Sequence, residues 1–314
     1  MSTAASAPPV CVLGLGLIGG SVLRAAVATG RSAWGYNRSP QVVGAAVADG
    51  FDASTDLTAA LTRAADTDAL VVVAVPMPAV DTVLAAVAEH APHVALTDVV
   101  SVKKEVAAVV TAHGLSARFV GGHPMAGTAE SGWSAGTAEL FRDAVWVVTV
   151  DDGTDPGVWQ QVADLALDCG SVVVPAESGE HDAAVARISH LPHVLAEALA
   201  LSGAAGGDLA LGLAAGSFRD GTRVAATAPA LVDAMCEGNA TALLATLDET
   251  LEVLRIARDQ LADGSTRDLT RAGHKARRRY EQRERRPITG IAPGDEGWIE
   301  RLRDAGRRGQ VWTR

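Results

Sequence analysis

Short uninterrupted apolar runs mark the first half of the chain, and apolar residues at helical spacing mark the second. Runs at 10–13, 33–36, 69–75, 94–97, 117–120, 144–150 and 171–174 read as strands. A run without polar alternation, such as 69–75, is what a strand buried on both faces requires. Helical patterning separates the runs at 21–29, 40–49, 57–64, 80–89, from about 103, and at 158–167. Strands alternating with helices predict a parallel, doubly wound α/β sheet. After Pro175 the character changes: residues 180–260 hold no strand-like run and read as helices, with glycine breaks at 203–207 and 216–221. The stretch 241–261 has the periodicity of a long packing helix. From Pro287 onward proline, glycine and charge dominate, which predicts a loosely held tail. The pattern therefore divides the chain into a sheet domain at 1–176, an all-helical domain at 177–286 and a basic tail at 287–314.

Composition narrows the class. The 314 residues are 48% hydrophobic, enough for two ordinary domains, and aromatics are scarce, so the core is built from small aliphatic side chains. Cys11, Cys169 and Cys236 lie far apart with no metal spacing, which fits a reduced, cytoplasmic protein. The first nine residues lack the charged-then-apolar order of a signal peptide, and no apolar run reaches the roughly 18 residues of a membrane span. The net charge of −10 hides an asymmetry, with −17 in the first 270 residues and +7 in the remainder. The basic cluster at 275–279 reads as a solvated helix face or a contact to an acidic partner subunit. Nothing else in the chain resembles a nucleic-acid module.

Chemistry begins at Gly14-Leu15-Gly16-Leu17-Ile18-Gly19, a G-x-G-x-x-G that follows a strand and opens a helix. That context marks a Rossmann-type dinucleotide site. Gly14 permits the tight turn, Gly16 lets the backbone approach a pyrophosphate, and Gly19 lets helix and strand pack closely, while the helix N-terminus at Leu17 and Ile18 offers N–H groups to the phosphates. Val75 and Pro76, which end the third run, are further candidates for cofactor contact. The second strand ends in Asn37-Arg38-Ser39, with no carboxylate to hold a ribose hydroxyl or repel a 2′-phosphate. Arg38 can pair with that phosphate and Ser39 can bond it, which favours NADP over NAD; an Arg38 that only stacks on adenine would admit either.

The segment Gly121-Gly122-His123-Pro124-Met125-Ala126-Gly127 places a histidine directly after the run at 117–120. A histidine at the carboxyl end of a late strand faces the crevice where cofactor and substrate meet, and its near-neutral pKa suits proton transfer. Together with the glycine-rich turn it points to a dehydrogenase whose histidine handles a substrate hydroxyl. His190 and His193 lie three apart, on one helix face; without a further ligand cluster they read as substrate contacts or core hydrogen-bonding groups, and no metal site is expected.

Five segments in order carry a family resemblance. They are the glycine motif; Asp98-Val99-Val100-Ser101-Val102-Lys103; the histidine motif with Thr128, Ser131 and Gly132; His181-Asp182 with Ile188-Ser189-His190-Leu191-Pro192-His193; and Phe218-Arg219-Asp220-Gly221-Thr222-Arg223-Val224-Ala225. Over roughly residues 10–260 the chain resembles the prephenate/arogenate dehydrogenases of tyrosine biosynthesis. The resemblance implies oxidative decarboxylation of a cyclohexadienyl substrate: hydride leaves C4, the C4 hydroxyl loses its proton and carbon dioxide departs as the ring aromatises. Prephenate would give 4-hydroxyphenylpyruvate, and arogenate would give tyrosine. The family's catalytic histidine falls on His123, its active-site serine on Ser101 and its carboxylate-binding arginine on Arg223. His190, His193, Thr128 and Gly216 are the further substrate candidates. Taken alone, Ser101 is equally a helix N-cap and Arg223 an ion-pair partner of Asp220. The helical domain forms the homodimer in that family.

Two departures stand out. The chain reads Gly127-Thr128-Ala129-Glu130 where the family often has Gly-Thr-Glu, and Leu231-Val232 where it often has a tryptophan. Rival readings are a 4-amino-4-deoxyprephenate dehydrogenase, another β-hydroxyacid-type dehydrogenase or imine reductase, and a non-catalytic NADP-sensing protein.

Overall fold

A computed structural model of the chain describes residues 7–128 and 130–313; most of the stretch read as lacking a signal peptide lies outside the described residues. The chain forms two compact units, Met1–His181 together with Arg286–Arg314, and Asp182–Arg285.

The first unit is built on β1 (Val10–Leu13), β2 (Ala33–Tyr36), β3 (Ala53–Ser54), β4 (Leu70–Val73) and β5 (Leu96–Asp98), in the order β3-β2-β1-β4-β5. All four pairings are parallel. Every residue of β1 and β4 is buried, as the unbroken apolar runs demand. Helices α1 (Leu17–Ala28), α2 (Pro40–Ala48), α3 (Leu57–Thr67), α4 (Val80–His90) and α5 (Lys104–Ala112) make the crossovers. The residues alternate between two cores: Val10 and Val12 pack with α1 on one face, Cys11 and Leu13 with α3 and α4 on the other. Only the two-residue β3 escapes the sequence pattern.

This five-stranded sheet is parallel throughout, and three further strands form a second sheet. The next strand is β6 (Gly122–Pro124), antiparallel to β7 (Val145–Thr149), which in turn runs parallel to β8 (Val172–Ala176) across the crossover helix α6 (Pro156–Asp168). A connection with no crossover helix joins β6 to β7, so the chain returns antiparallel. The predicted strand at 117–120 is also corrected. Ser116–Arg118 is a 3-10 turn, Phe119 makes a single bridge to Leu96, and His123 sits inside the strand rather than behind it. The two glycines allow this: a Cβ on Gly122 would stand 2.6 Å from the Asp98 carbonyl oxygen, so only a bare backbone approaches β5 so closely.

The second unit begins in α7 (Ser178–Val185), which runs through a π turn at Ala186–His190 into α8 (Leu191–Ala205). It continues with α9 (Gly207–Gly212), α10 (Gly216–Thr222), a 3-10 turn at Arg223–Ala226, α11 (Pro229–Glu237), α12 (Ala240–Ala262) and α13 (Arg267–Glu281). The break at 203–207 is real, with Gly207 at φ +67°. The one expected at 216–221 is instead helix α10. Glycine serves close packing here: a Cβ on Gly203 would meet the Phe218 ring at 2.5 Å, and one on Gly221 would meet Leu199 at 2.8 Å. Among the described residues, the large exposed hydrophobic side chains other than Val27 and Val47 lie within this unit.

The loosely held tail is also corrected. Residues 286–313 pack on the first unit through α14 (Trp298–Arg307). Trp298, Leu302, Ala305 and Val311 are buried, Trp298 and Trp312 meet Trp159 edge-on, and Trp312 N–H donates to Val173 O at 2.8 Å. Trp298, Leu302 and Ala305 follow i, i+4, i+7 spacing, an apolar stripe that the surrounding charge and glycine conceal. Among the described residues no helix is long and apolar enough to cross a membrane.

Candidate active site

The carboxyl ends of parallel strands share one edge, and most candidate residues of the first unit fall there: Gly14 past β1, Asn37 past β2, Val75 and Pro76 past β4, Ser101 past β5. Gly14 has φ +107°, and a Cβ there would lie 2.5 Å from the Ala74 carbonyl oxygen. A Cβ on Gly19 would lie 1.9 Å from Gly14 O, so helix and strand are as close as the motif requires. Gly16 has nothing within 4 Å of its Cβ position and caps α1 without a side-chain bond. A bare, open backbone and an uncapped helix start at Leu17 and Ile18 are the surface a pyrophosphate needs, so these residues fit a dinucleotide.

Past β2 the three candidates separate. Asn37 Oδ1 accepts from Ser39 N–H at 2.9 Å, and Ser39 Oγ caps α2 by accepting from Val42 N–H while bonding Gln41 at 2.8 Å. Arg38 is exposed and makes no hydrogen bond or ion pair among the described residues.

His123 is half-buried on β6, opposite Val147. Its Nδ1 lies 2.8 Å from Nε2 of His181. The backbone beneath it is clamped by groups that no motif role had singled out. Asp98 is 1% exposed; its carboxylate accepts from Val100 N–H at 2.9 Å, from Gly122 N–H at 3.2 Å and from the Lys103 ammonium. Lys103, equally buried, also donates to Gly122 O at 2.6 Å. Burial pushes the Asp98 carboxyl up, against the downward pull of Lys103 and the two N–H donors. Residues five apart around a loop carry no periodic signal, which is why the sequence pattern alone does not expose the pair.

Ser101 is half-buried and is not a helix cap, since α5 starts at Lys104 with Lys103 in the cap position. Its hydroxyl is uncommitted to secondary structure. Thr128 is exposed and its Oγ1 exchanges bonds with the backbone of Glu130.

In the second unit, Arg223 is exposed at the start of the 3-10 turn. Asp220 pairs with Arg219 at 3.7 Å, so the ion pair considered for Arg223 does not form. Gly216 opens α10. His190 and His193 do not share one environment. His190 is fully buried with Nδ1 at 3.2 Å from the Asn239 amide, which also donates to Asp182 O. His193 is half-buried, and its buried Nδ1 has no partner among the described residues. No group of three or more His, Cys, Asp or Glu among the described residues can hold a metal ion.

Family models described as "Prephenate dehydrogenase, nucleotide-binding domain" and "Prephenate dehydrogenase, dimerization domain" match residues 22–175 and 177–273. The chain belongs to the prephenate dehydrogenase family. A cyclohexadienyl dehydrogenase of Zymomonas mobilis is 35% identical over 263 residues, 81% of this chain and 88% of that protein. A Corynebacterium glutamicum protein described as a candidate prephenate dehydrogenase has a crystal structure that superposes with a TM-score of 0.93, at 51% identity over 98% of both chains. The Synechocystis arogenate dehydrogenase structure gives a TM-score of 0.72 at 29% identity, covering 87% of this chain and 99% of that one. Prephenate dehydrogenases are NAD(P)-dependent oxidoreductases, and the Rossmann-type unit described above is this chain's nucleotide-binding domain.

Proposed function

We propose that the chain catalyses oxidative decarboxylation of prephenate, or of arogenate, with hydride transfer to NAD(P)+. The observation that carries this is His123, held on β6 by the bonds between Gly122 and the end of β5, at the edge of the nucleotide-binding sheet where the glycine turn lies. The bound nicotinamide supplies the hydride acceptor. His123 accepts the C4 hydroxyl proton, and Ser101, with its hydroxyl free of any cap, shares that bond. Arg223, exposed and without a carboxylate partner among the described residues, takes a substrate carboxylate. His193, Thr128 and Gly216 are the further substrate candidates, with His190 buried beside Asn239. The rest of the driving force is aromatisation, so the protein's task is to orient C4 and polarise its hydroxyl.

NADP is the preferred cofactor in this reading. Ser39 and Asn37 are already bonded locally, which leaves the unpaired Arg38 to meet a 2′-phosphate. The active species is a homodimer formed through the helical unit, where the exposed leucines are concentrated. The three free cysteines suit a cytoplasmic enzyme.

Initial rates at 340 nm with prephenate and with arogenate, each against NAD and NADP, test the assignment. Reduction with one substrate identifies it. Silence with all four pairs, in protein that still binds NADP, refutes the reaction.

A further inference from the structure

His181 brings a second imidazole against His123, and the proposed reaction gives it no task. It is 3% exposed, and the two rings stand 73° apart with centroids at 5.1 Å. With Nδ1 of His123 at 2.8 Å from Nε2 of His181, one nitrogen carries the shared proton and the other accepts it. The bond therefore sets the tautomer of both rings together. When Nδ1 of His123 donates, its Nε2 holds a lone pair. When Nδ1 accepts, Nε2 of a neutral ring carries the proton and cannot take another.

Both rings sit on fixed backbone. His123 is held by its register with Val147, and the preceding Gly122 by Asp98 and Lys103. On the other side, Ser178 at the start of α7 donates its N–H and Oγ to Asp151 at 2.9 and 2.6 Å. His181 N–H donates to Glu177 O at 2.9 Å, and Glu180 accepts from Arg307 of α14 at 2.7 Å. The backbone under either ring cannot shift without breaking these bonds. A partner that fixes the other nitrogen of a working histidine is the usual means of choosing its tautomer. Here the partner is a ring, which orients without adding the full negative charge of a carboxylate.

We propose that His181 is the positioning residue for His123, accepting a hydrogen bond from Nδ1–H so that Nε2 of His123 is the nitrogen that takes the C4 hydroxyl proton. The proposal rests on the reaction assigned above. Two variants and one spectrum test it. His181→Leu removes the acceptor; His181→Gln returns an amide oxygen close to the position of Nε2. The expected result is a 10- to 100-fold fall in kcat for the leucine variant, with KM and NADP affinity within about twofold of wild type, and recovery of at least a few-fold in the glutamine variant. Two-bond 15N–1H correlation spectra of the full-length protein should show His123 protonated at Nδ1, a single tautomer that His181→Leu abolishes. A folded leucine variant with wild-type kcat overturns the proposal, as does a neutral His123 that carries its proton on Nε2 in the wild type. If no substrate is turned over but the spectra show the expected tautomer and its loss, the reaction is wrong and the pairing stands.

Discussion

The ammonium of Lys103 donates to the carbonyl oxygen of Gly122 at 2.6 Å, one residue before His123, the proposed proton acceptor. The same ammonium neutralises Asp98, and both side chains are 1% exposed. Removing one partner of such a pair strands the other charge in the interior. Lys103→Met should therefore cost about 3–5 kcal/mol of stability, and turnover should fall further than stability explains because Gly122 keeps only its N–H bond to Asp98. Denaturant unfolding and kcat, compared with an Asp98→Asn/Lys103→Met double variant, check this; the double variant should recover part of the stability.

Arg38 is the side chain past β2 left without a local partner, so it should decide cofactor choice. Arg38→Ala is expected to weaken NADP binding by roughly tenfold or more, the loss of a charge-assisted phosphate contact, and to leave NAD binding nearly unchanged. Titration calorimetry with both cofactors measures the difference. Equal losses for the two would mean that Arg38 stacks on adenine.

The C-terminal segment should behave as core. A Cβ on Gly306 would stand 1.9 Å from the Pro175 carbonyl oxygen, so α14 lies directly on β8. Gly306→Ala is expected to lower stability by about 1–3 kcal/mol through overpacking. Truncation after Arg286 should cost more, since burial of each large apolar side chain such as Trp298 or Leu302 contributes about 1.5–3 kcal/mol. Thermal unfolding of both variants tests the packing.

Burial pushes the thiols of Cys11 and Cys169 up to about 12 from an ordinary 9.0. The unfolded chain then gives up these protons first as pH rises. Stability from the buried thiols is complete below about pH 9 and is lost between there and about 12, at up to roughly 1.4 kcal/mol per pH unit for each thiol. Urea unfolding from pH 8 to 10.5 should show a steeper decline for wild type than for Cys169→Ala. Parallel curves would show that the buried thiol does not contribute.

On α12 the exposed Leu244, Leu251, Leu254 and Leu261 follow spacings of seven and three, the seam of a helix that expects a partner. Leu251→Glu with Leu254→Glu should shift the protein from dimer towards monomer in sedimentation equilibrium, without changing the secondary structure seen by circular dichroism. An unchanged mass would move the proposed interface elsewhere on the helical unit.

The glycine turn was legible in the sequence because its requirement is local. Gly14 must reach a positive φ and Gly19 must let a helix touch a strand, and no other residue type does both. The crossover helices and buried parallel strands were legible for the same reason, since unbroken apolar runs and helical periodicity leave few other arrangements. His123 was visible as a chemical group after an apolar run, although its strand was misplaced. Ser116–Arg118 turns before the strand can form, and the glycines shift pairing onto the histidine itself.

What the sequence by itself determined is therefore the set of elements whose cause lies within a few residues: the parallel five-stranded sheet, the dinucleotide turn, the long helix α12 and the candidate groups for the proposed chemistry. Tertiary structure decided what depends on partners far along the chain. It turned β6 antiparallel, joined Asp98 and Lys103 beneath Gly122, set His181 against His123 across 58 positions, and drew a charged, glycine-rich terminus into the core around Trp159. The physical reason is common to all four. Burial and hydrogen bonding act on whatever the fold brings together, and a short-range pattern records only its own side of each contact.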